Sequence, residues 1–178
     1  MTDDELMVRG AAGDDRAFQL LVERWQGRVL GYLARVLGSE TEAEDVAQET
    51  FVKVYASAGS YRPDGRFAGW LFRIARKQAR SRLRRKKIAR FLPFVGSEHD
   101  VSEPPRAEED RRRHELREAL RVALGSLPAR QREAFVLRYD ARLGQREIAR
   151  ELGTSVSAVE TLLHRAKRAL REQLGDWT

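Results

Sequence analysis

No cysteine occurs anywhere in the 178 residues, which removes disulfide staples, thiolate nucleophiles and Cys-ligated zinc or iron–sulfur centres from consideration. Histidine is nearly as scarce: His99, His114 and His164 are the three present, and their spacing matches no metal-ligand pattern. No apolar run approaches the roughly 20 residues that cross a bilayer, and the opening MTDDELMVRG lacks the basic-then-apolar order of a secretory signal. The HExxH, GxxxxGKS/T and GxSxG patterns are all missing, and no nucleophile stands beside a base. These absences predict a cytoplasmic chain that does not insert in a membrane, needs no cofactor or metal, has no catalytic residue and is not an enzyme.

What is plentiful is charge. Asp, Glu, Lys and Arg make up 34% of the chain beside 42% hydrophobic residues, enough apolar material for one or two small cores. The charge is laid down in blocks. Residues 1–61 hold 6 basic and 11 acidic side chains, 62–95 hold 12 and 1, 96–110 hold 1 and 6, and 111–178 hold 15 and 9. Alternation on this scale predicts two basic surfaces for a polyanion and an acidic surface for a different partner.

Periodicity predicts helices throughout. Between Asp14 and Leu37, Phe18, Leu21, Val22, Trp25, Val29, Leu30 and Leu33 recur at helical spacing. Ser39 with Glu42 has the form of a capping box, followed by a stripe of Ala43, Val46, Ala47, Thr50, Phe51 and Val54. The opposite face of that helix presents Glu42, Asp45, Gln48 and Glu49, a surface for a basic partner and not a metal site. Ala56 to Gly65 (ASAGSYRPDG) is a loop. Beyond it Phe67, Trp70, Leu71, Ile74 and Ala75 form another buried stripe. Arg73, Arg76, Lys77, Arg80 and Arg84 share one sector of that helix, a basic ridge about 16 Å long.

Like charges in a row repel unless something negative lies against them, and a phosphate backbone is the commonest answer. Anionic lipid is the rival partner. It is disfavoured because Trp70, Leu71 and Ile74 are better used as core than as a membrane-inserting face. The stretch Gly96 to Asp110, with six acids and Pro104-Pro105, reads as an extended linker.

After it, Leu116, Leu120, Ala123, Leu124 and Leu127 predict a short helix, and Pro128 opens a second. QREIARELGTSVSAVETLLH, residues 145–164, then fits a helix-turn-helix. Ile148, Ala149 and Leu152 face inward, Gly153 takes the left-handed turn, and Val156, Val159 and Leu162 pack the second helix back. Ser155 caps that second helix, whose outward residues are Ser157, Glu160, Thr161, His164, Arg165 and Arg168. Thr161 and His164 are placed for base edges, and Arg165 and Arg168 for phosphate or guanine. Glu160 has two readings: it accepts from a cytosine amine, or it closes a capping box with Ser157.

Three segments in this order resemble the RNA polymerase sigma factors of the extracytoplasmic-function (ECF) class. Ala43 to Val52 (AEDVAQETFV) is similar to the family's core-binding segment, Phe67 to Arg76 (FAGWLFRIAR) to its −10 segment, and Leu127 to Arg171, beginning LPARQRE, to its −35-reading domain. The resemblance implies an all-α fold of two helical domains joined by a flexible acidic linker: 1–92 for core binding, −10 recognition and melting, 93–112 as linker, and 113–178 as the helix-turn-helix domain. It implies that Asp45, Gln48, Glu49 and Lys53 meet the clamp helices of the largest catalytic subunit, with the flap of the other large subunit as a further contact.

Promoter DNA at −10 would be held by Tyr61, Arg62, Arg66, Arg73, Arg76, Lys77, Arg80, Ser81 and Arg84, with one base flipped out. The six outward residues of the second helix would read −35. An anti-sigma factor is the further implied partner. Lys77 stands where the family commonly has Asn, Ser81 where Asp is frequent, and Glu160 where many relatives are basic. The alternative is a helix-turn-helix regulator whose N-terminal half senses a ligand or dimerises.

Overall fold

The computed structural model describes residues 1–89 and 108–175. Its regular elements among those residues are all helical: α1 (Asp3–Ala11), α2 (Asp15–Leu37), α3 (Glu40–Ala56), α4 (Phe67–Ala89), α5 (Glu108–Ser126), α6 (Ala129–Tyr139), α7 (Gln145–Leu152) and α8 (Val156–Gln173), with a 3-10 turn at Ala58–Ser60. The all-α expectation holds. Of the expected linker, residues 93–107 lie outside the described residues, and 108–112 already belong to α5.

Local chemistry sets the helix ends. Thr2 and Glu5 close a capping box on α1, with bonds of 2.8 and 3.2 Å. Asp14 accepts the Ala17 N–H at 3.0 Å to start α2, and Gly38, at φ 74°, ends it. Ser39 accepts the Glu42 N–H at 3.3 Å, but the reciprocal half of the expected box is not made. The Glu42 carboxylate instead turns to Arg82 and Lys86 on α4, where two cations outbid one backbone amide.

Among the described residues the apolar stripes of α1 to α4 and the inner faces of α6 to α8 form one continuous cluster. At its centre Tyr32 and Phe72 are fully buried and meet edge to face at 5.3 Å, while Trp25 sits edge-on to Phe67 at 5.8 Å and to Phe72 at 6.2 Å. Phe72 was not in the expected stripe. Trp70 and Ile74, expected in the core, are only half-buried, and the Trp70 ring lies against Tyr61 of the loop before α4.

A smaller cluster of Ala123, Leu124, Leu127, Ala166 and Leu170 joins α5 to α8. Leu116 stays exposed since α5 meets α8 only over its later turns. In the helix-turn-helix, Gly153 takes φ 60° and the Thr154 N–H reaches back to the Ala149 carbonyl at 2.9 Å. Val159, Leu163, Ala166 and Leu170 are the buried line of α8. Expected to pack inward, Val156 is exposed and Leu162 half-buried, since the line that α8 buries runs through Val159, Leu163, Ala166 and Leu170.

Candidate nucleic-acid interface

The acidic face of α3 and the far side of α4 enclose a cleft lined by Asp45, Gln48, Glu49, Val52, Lys53, Gln78, Arg82 and Arg85. The four residues expected to meet polymerase therefore lie together. Arg82 reaches across to Glu49 at 3.3 Å and Asp45 at 3.8 Å. The face thus carries its own cations, and Val52 adds an apolar side chain that is 66% exposed. Sequence reasoning missed Arg82, Arg85 and Lys86 here. At 100° per residue Arg82 points away from Arg73, Arg76 and Arg80, a signal that was present in the sequence.

The loop between the 3-10 turn and α4 carries Tyr61, Arg62 and Arg66. Tyr61 is half-buried, its ring 4.9 Å from Trp70 and 5.8 Å from Phe67. Its hydroxyl donates to an Asp4 carboxylate oxygen, and the Gly65 N–H donates to the other at 2.7 Å. Burial first, and then the hydrogen bond to Asp4, push the phenol above its ordinary range. Arg62 and Arg66 are exposed, and Arg66 lies 3.4 Å from Asp64.

The basic ridge already has a negative partner, and it is the chain's own. Arg73 donates to Glu151 through Nε at 3.2 and 3.3 Å and through Nη2 at 2.8 Å. Arg76 lies 3.7 Å from Glu133 and 4.0 Å from Glu151, and Arg80 is 3.2 Å from Glu133. Lys77 and Arg84 remain exposed. Ser81 accepts from Arg85 at 3.3 Å. Neither acid was anticipated, although Glu151 falls between Ile148 and Leu152 on the buried arc of α7, where a charge needs a partner.

On α8 the six expected residues, Ser157, Glu160, Thr161, His164, Arg165 and Arg168, are all exposed. Ser155 is the cap, accepting the Ala158 N–H at 3.1 Å, so Ser157 and Glu160 do not form a capping box and Glu160 is free to face outward. Glu160 and His164 line a shallow hollow with Tyr139, Gln145 and Lys167, where the Lys167 ammonium sits 5.6 Å over the Tyr139 ring. Lys167 was missed. Among the described residues no three His, Asp or Glu side chains converge as a metal site requires, and no helix is long and apolar enough to cross a membrane.

Comparison with known proteins decides between the two functional alternatives. Residues 21–88 match sigma-70 region 2, and residues 117–170 match sigma-70 region 4. The RNA polymerase sigma-H factor of Pseudomonas aeruginosa is 34% identical over 97% of this chain and 93% of its own length. The ECF RNA polymerase sigma factor SigW of Bacillus subtilis is 33% identical over 92% of each. The chain belongs to the ECF class of RNA polymerase sigma factors.

This sigma factor shares its fold with CnrH, solved in complex with the cytosolic domain of CnrY, at a TM-score of 0.69 and 31% identity over 99% of each chain. It also shares the fold of RpoE of Bartonella quintana, solved with the anti-sigma factor NepR, at a TM-score of 0.73 and 21% identity over 90% of this chain and 98% of that one. Region 2 occupies the place that a sensing or dimerising domain would have filled. The matched segments contain the acidic cleft, the loop, the ridge and the outward residues of α8. Asp4 lies before them.

Proposed function

We propose that this ECF sigma factor joins RNA polymerase core and directs it to promoters by reading a −35 and a −10 element and opening the DNA at the latter. Asp45, Gln48, Glu49 and Lys53 take the clamp helices of the largest subunit. Residues 1–92 act as the core-binding and −10 unit, 93–112 as the connection, and 113–178 as the −35 unit, which also contacts the flap of the other large subunit. Tyr61, Arg62, Arg66 and the ridge hold the melted strand. Ser157, Glu160, Thr161, His164, Arg165 and Arg168 face the −35 major groove. Phosphoryl transfer belongs to core, so no catalytic step falls to this chain, and its place of work is the cytoplasm.

The observation that supports this most directly is one chain, in family order, carrying an acidic cleft, a basic ridge behind an aromatic loop, and an exposed helix-turn-helix face. In the arrangement seen here, Glu133 and Glu151 pair with the ridge arginines, and in this reading DNA phosphates compete for the same cations. Binding at −10 replaces those carboxylates and separates α6 and α7 from α4. An anti-sigma factor is the further partner, supported by a sigma factor of the same fold having been solved with one.

The test is transcription of fragmented genomic DNA from the source organism by core polymerase, with and without the chain, mapping every 5′ end. New starts that share two upstream elements are expected. Reversing charge at Asp45 and Glu49 (Asp45→Arg with Glu49→Arg) should abolish those starts while leaving −35 duplex binding by the full chain unchanged. Absence of new starts with the unaltered chain overturns the reading.

A further inference from the structure

Arg62, Pro63 and Asp64 are exposed and bracketed by two groups held on a single carboxylate. The Tyr61 hydroxyl and the Gly65 N–H, four positions apart, donate to the two oxygens of Asp4, which comes from the first turn of α1. Gly65 stands at φ 77°, and the Asp64 N–H closes back on the Arg62 carbonyl at 2.9 Å. The carboxylate therefore ties both ends of a tight turn together from 57 positions away at Tyr61 and 61 at Gly65.

The platform that presents Asp4 is itself fixed. Leu6 and Met7 are buried in the main cluster at 1% and 0% exposure. Arg24 of α2 holds Asp3 at 2.6 Å, and the Thr2–Glu5 box secures the helix start. A carboxylate beside a strand-binding loop repels phosphate, so its placement calls for a compensating purpose. Both of its oxygens are committed to the loop.

We propose that Asp4 is a positioning residue for −10 recognition: it holds the Tyr61–Gly65 turn in the shape that receives an unstacked base, so base selectivity at −10 depends on a residue outside the segment matching region 2. The inference rests on the sigma reading of the loop. A turn tied at both ends does not have to be ordered when the base enters. Untied, it imposes an ordering cost only on the base that the turn is shaped to receive, so a matched base loses affinity and a mismatched one does not. The ratio between them falls.

The experiment uses the full chain assembled with core polymerase, on promoter fragments recovered with the unaltered protein and carrying all four bases at each −10 position. Asp4→Ala should reduce the preference for the matched −10 base about fivefold or more, with −35 preference and core affinity unchanged. Asp4→Asn, which keeps one acceptor and the side-chain shape, should give a smaller loss and guards against misfolding of the Ala variant. Tyr61→Phe should add little in the Asp4→Ala background. Asp3→Asn loosens α1 from Arg24 without touching the loop and should leave base preference intact.

Equal loss on all four −10 bases, or flattening by Asp3→Asn as strong as by Asp4→Ala, assigns Asp4 a merely structural role and overturns the proposal. Retained selectivity in both Asp4 variants does the same. Failure of the unaltered protein to initiate at any promoter sinks the sigma reading instead, and the two failures are distinct.

Discussion

Arg73 of α4 and Glu151 of α7 form a forked ion pair across the junction of the two sigma regions, with Glu151 5% exposed and Arg73 62% exposed at the side chain. The acid is committed to the interior and the base keeps an edge in water. Arg76 beside them is 15% exposed, and one of its guanidinium nitrogens, Nη1, has no hydrogen-bond partner among the described residues. The Tyr32 hydroxyl in the same junction is buried without a partner too, and its burial, reinforced by Glu133, pushes its titration above the ordinary phenol range. Orphaned polar atoms cost about 1–3 kcal/mol each. The junction thus combines charge complementarity with a standing penalty, as suits the opening proposed for it.

Removing the acids should open it. Glu133→Gln with Glu151→Gln is expected to weaken the junction by about 2 kcal/mol, enlarge the radius of gyration in small-angle scattering, and raise the affinity of the full chain for −10 single strands. An unchanged radius together with unchanged strand affinity would show that these pairs do not gate the ridge.

On α8, phosphate contacts and base contacts separate by their salt response. Arg165→Ala should weaken binding to all −35 duplexes alike and reduce the salt slope by about 1, whereas Thr161→Ala or His164→Ala should cost about 1–3 kcal/mol on the preferred sequence alone. Titrations of matched and scrambled duplexes at several salt concentrations read both effects.

Gly153 joins α7 to α8 at φ 60°, with no neighbouring atom within 4 Å of where a Cβ would stand. Space is not the constraint; backbone handedness is. Gly153→Ala is expected to lower stability by about 1 kcal/mol, seen as a lower Tm, while Gly59→Ala, which has comparable space and no positive φ, should leave Tm nearly unchanged.

Acid should fray the start of α2. The Ala17 N–H, and then Arg9, hold the Asp14 carboxyl below its ordinary 3.8. A depressed folded value means that its contribution is complete above that figure and is lost as pH falls through the folded value. Asp140 works the other way: burial raises it against the pull of Arg35, so its ionisation opposes folding and its contribution improves as pH falls from its folded value toward 3.8. Thermal melts from pH 7 to pH 2 should show Asp14→Asn with a shallower acid loss, and Asp140→Asn with a steeper one, than the unaltered chain.

The two helix-turn-helix elements and the outward face of α8 were legible in the sequence because each depends on neighbours within a few positions. Helical spacing put Ser157, Thr161, His164, Arg165 and Arg168 on one side, and Gly153 alone permits the turn at φ 60°. The Glu42, Asp45, Gln48 and Glu49 face followed from the same arithmetic, whereas Lys53 joined it only through the family resemblance. Its cations Arg82 and Lys86 were also on the page, since a helix with basic residues on two sides must present the second to something.

Tertiary structure alone decided what the ridge touches and what holds the loop. Arg73 and Glu151 are 78 positions apart, Tyr61 and Asp4 are 57 apart, and neither pairing leaves a local trace, because a carboxylate on a helix reads as solvated until another helix is laid against it. Periodicity determines which way a side chain points. Only packing determines whether water, nucleic acid or a residue from the other half of the chain is waiting there, since that depends on how the apolar faces of α2, α4, α6 and α7 share one core.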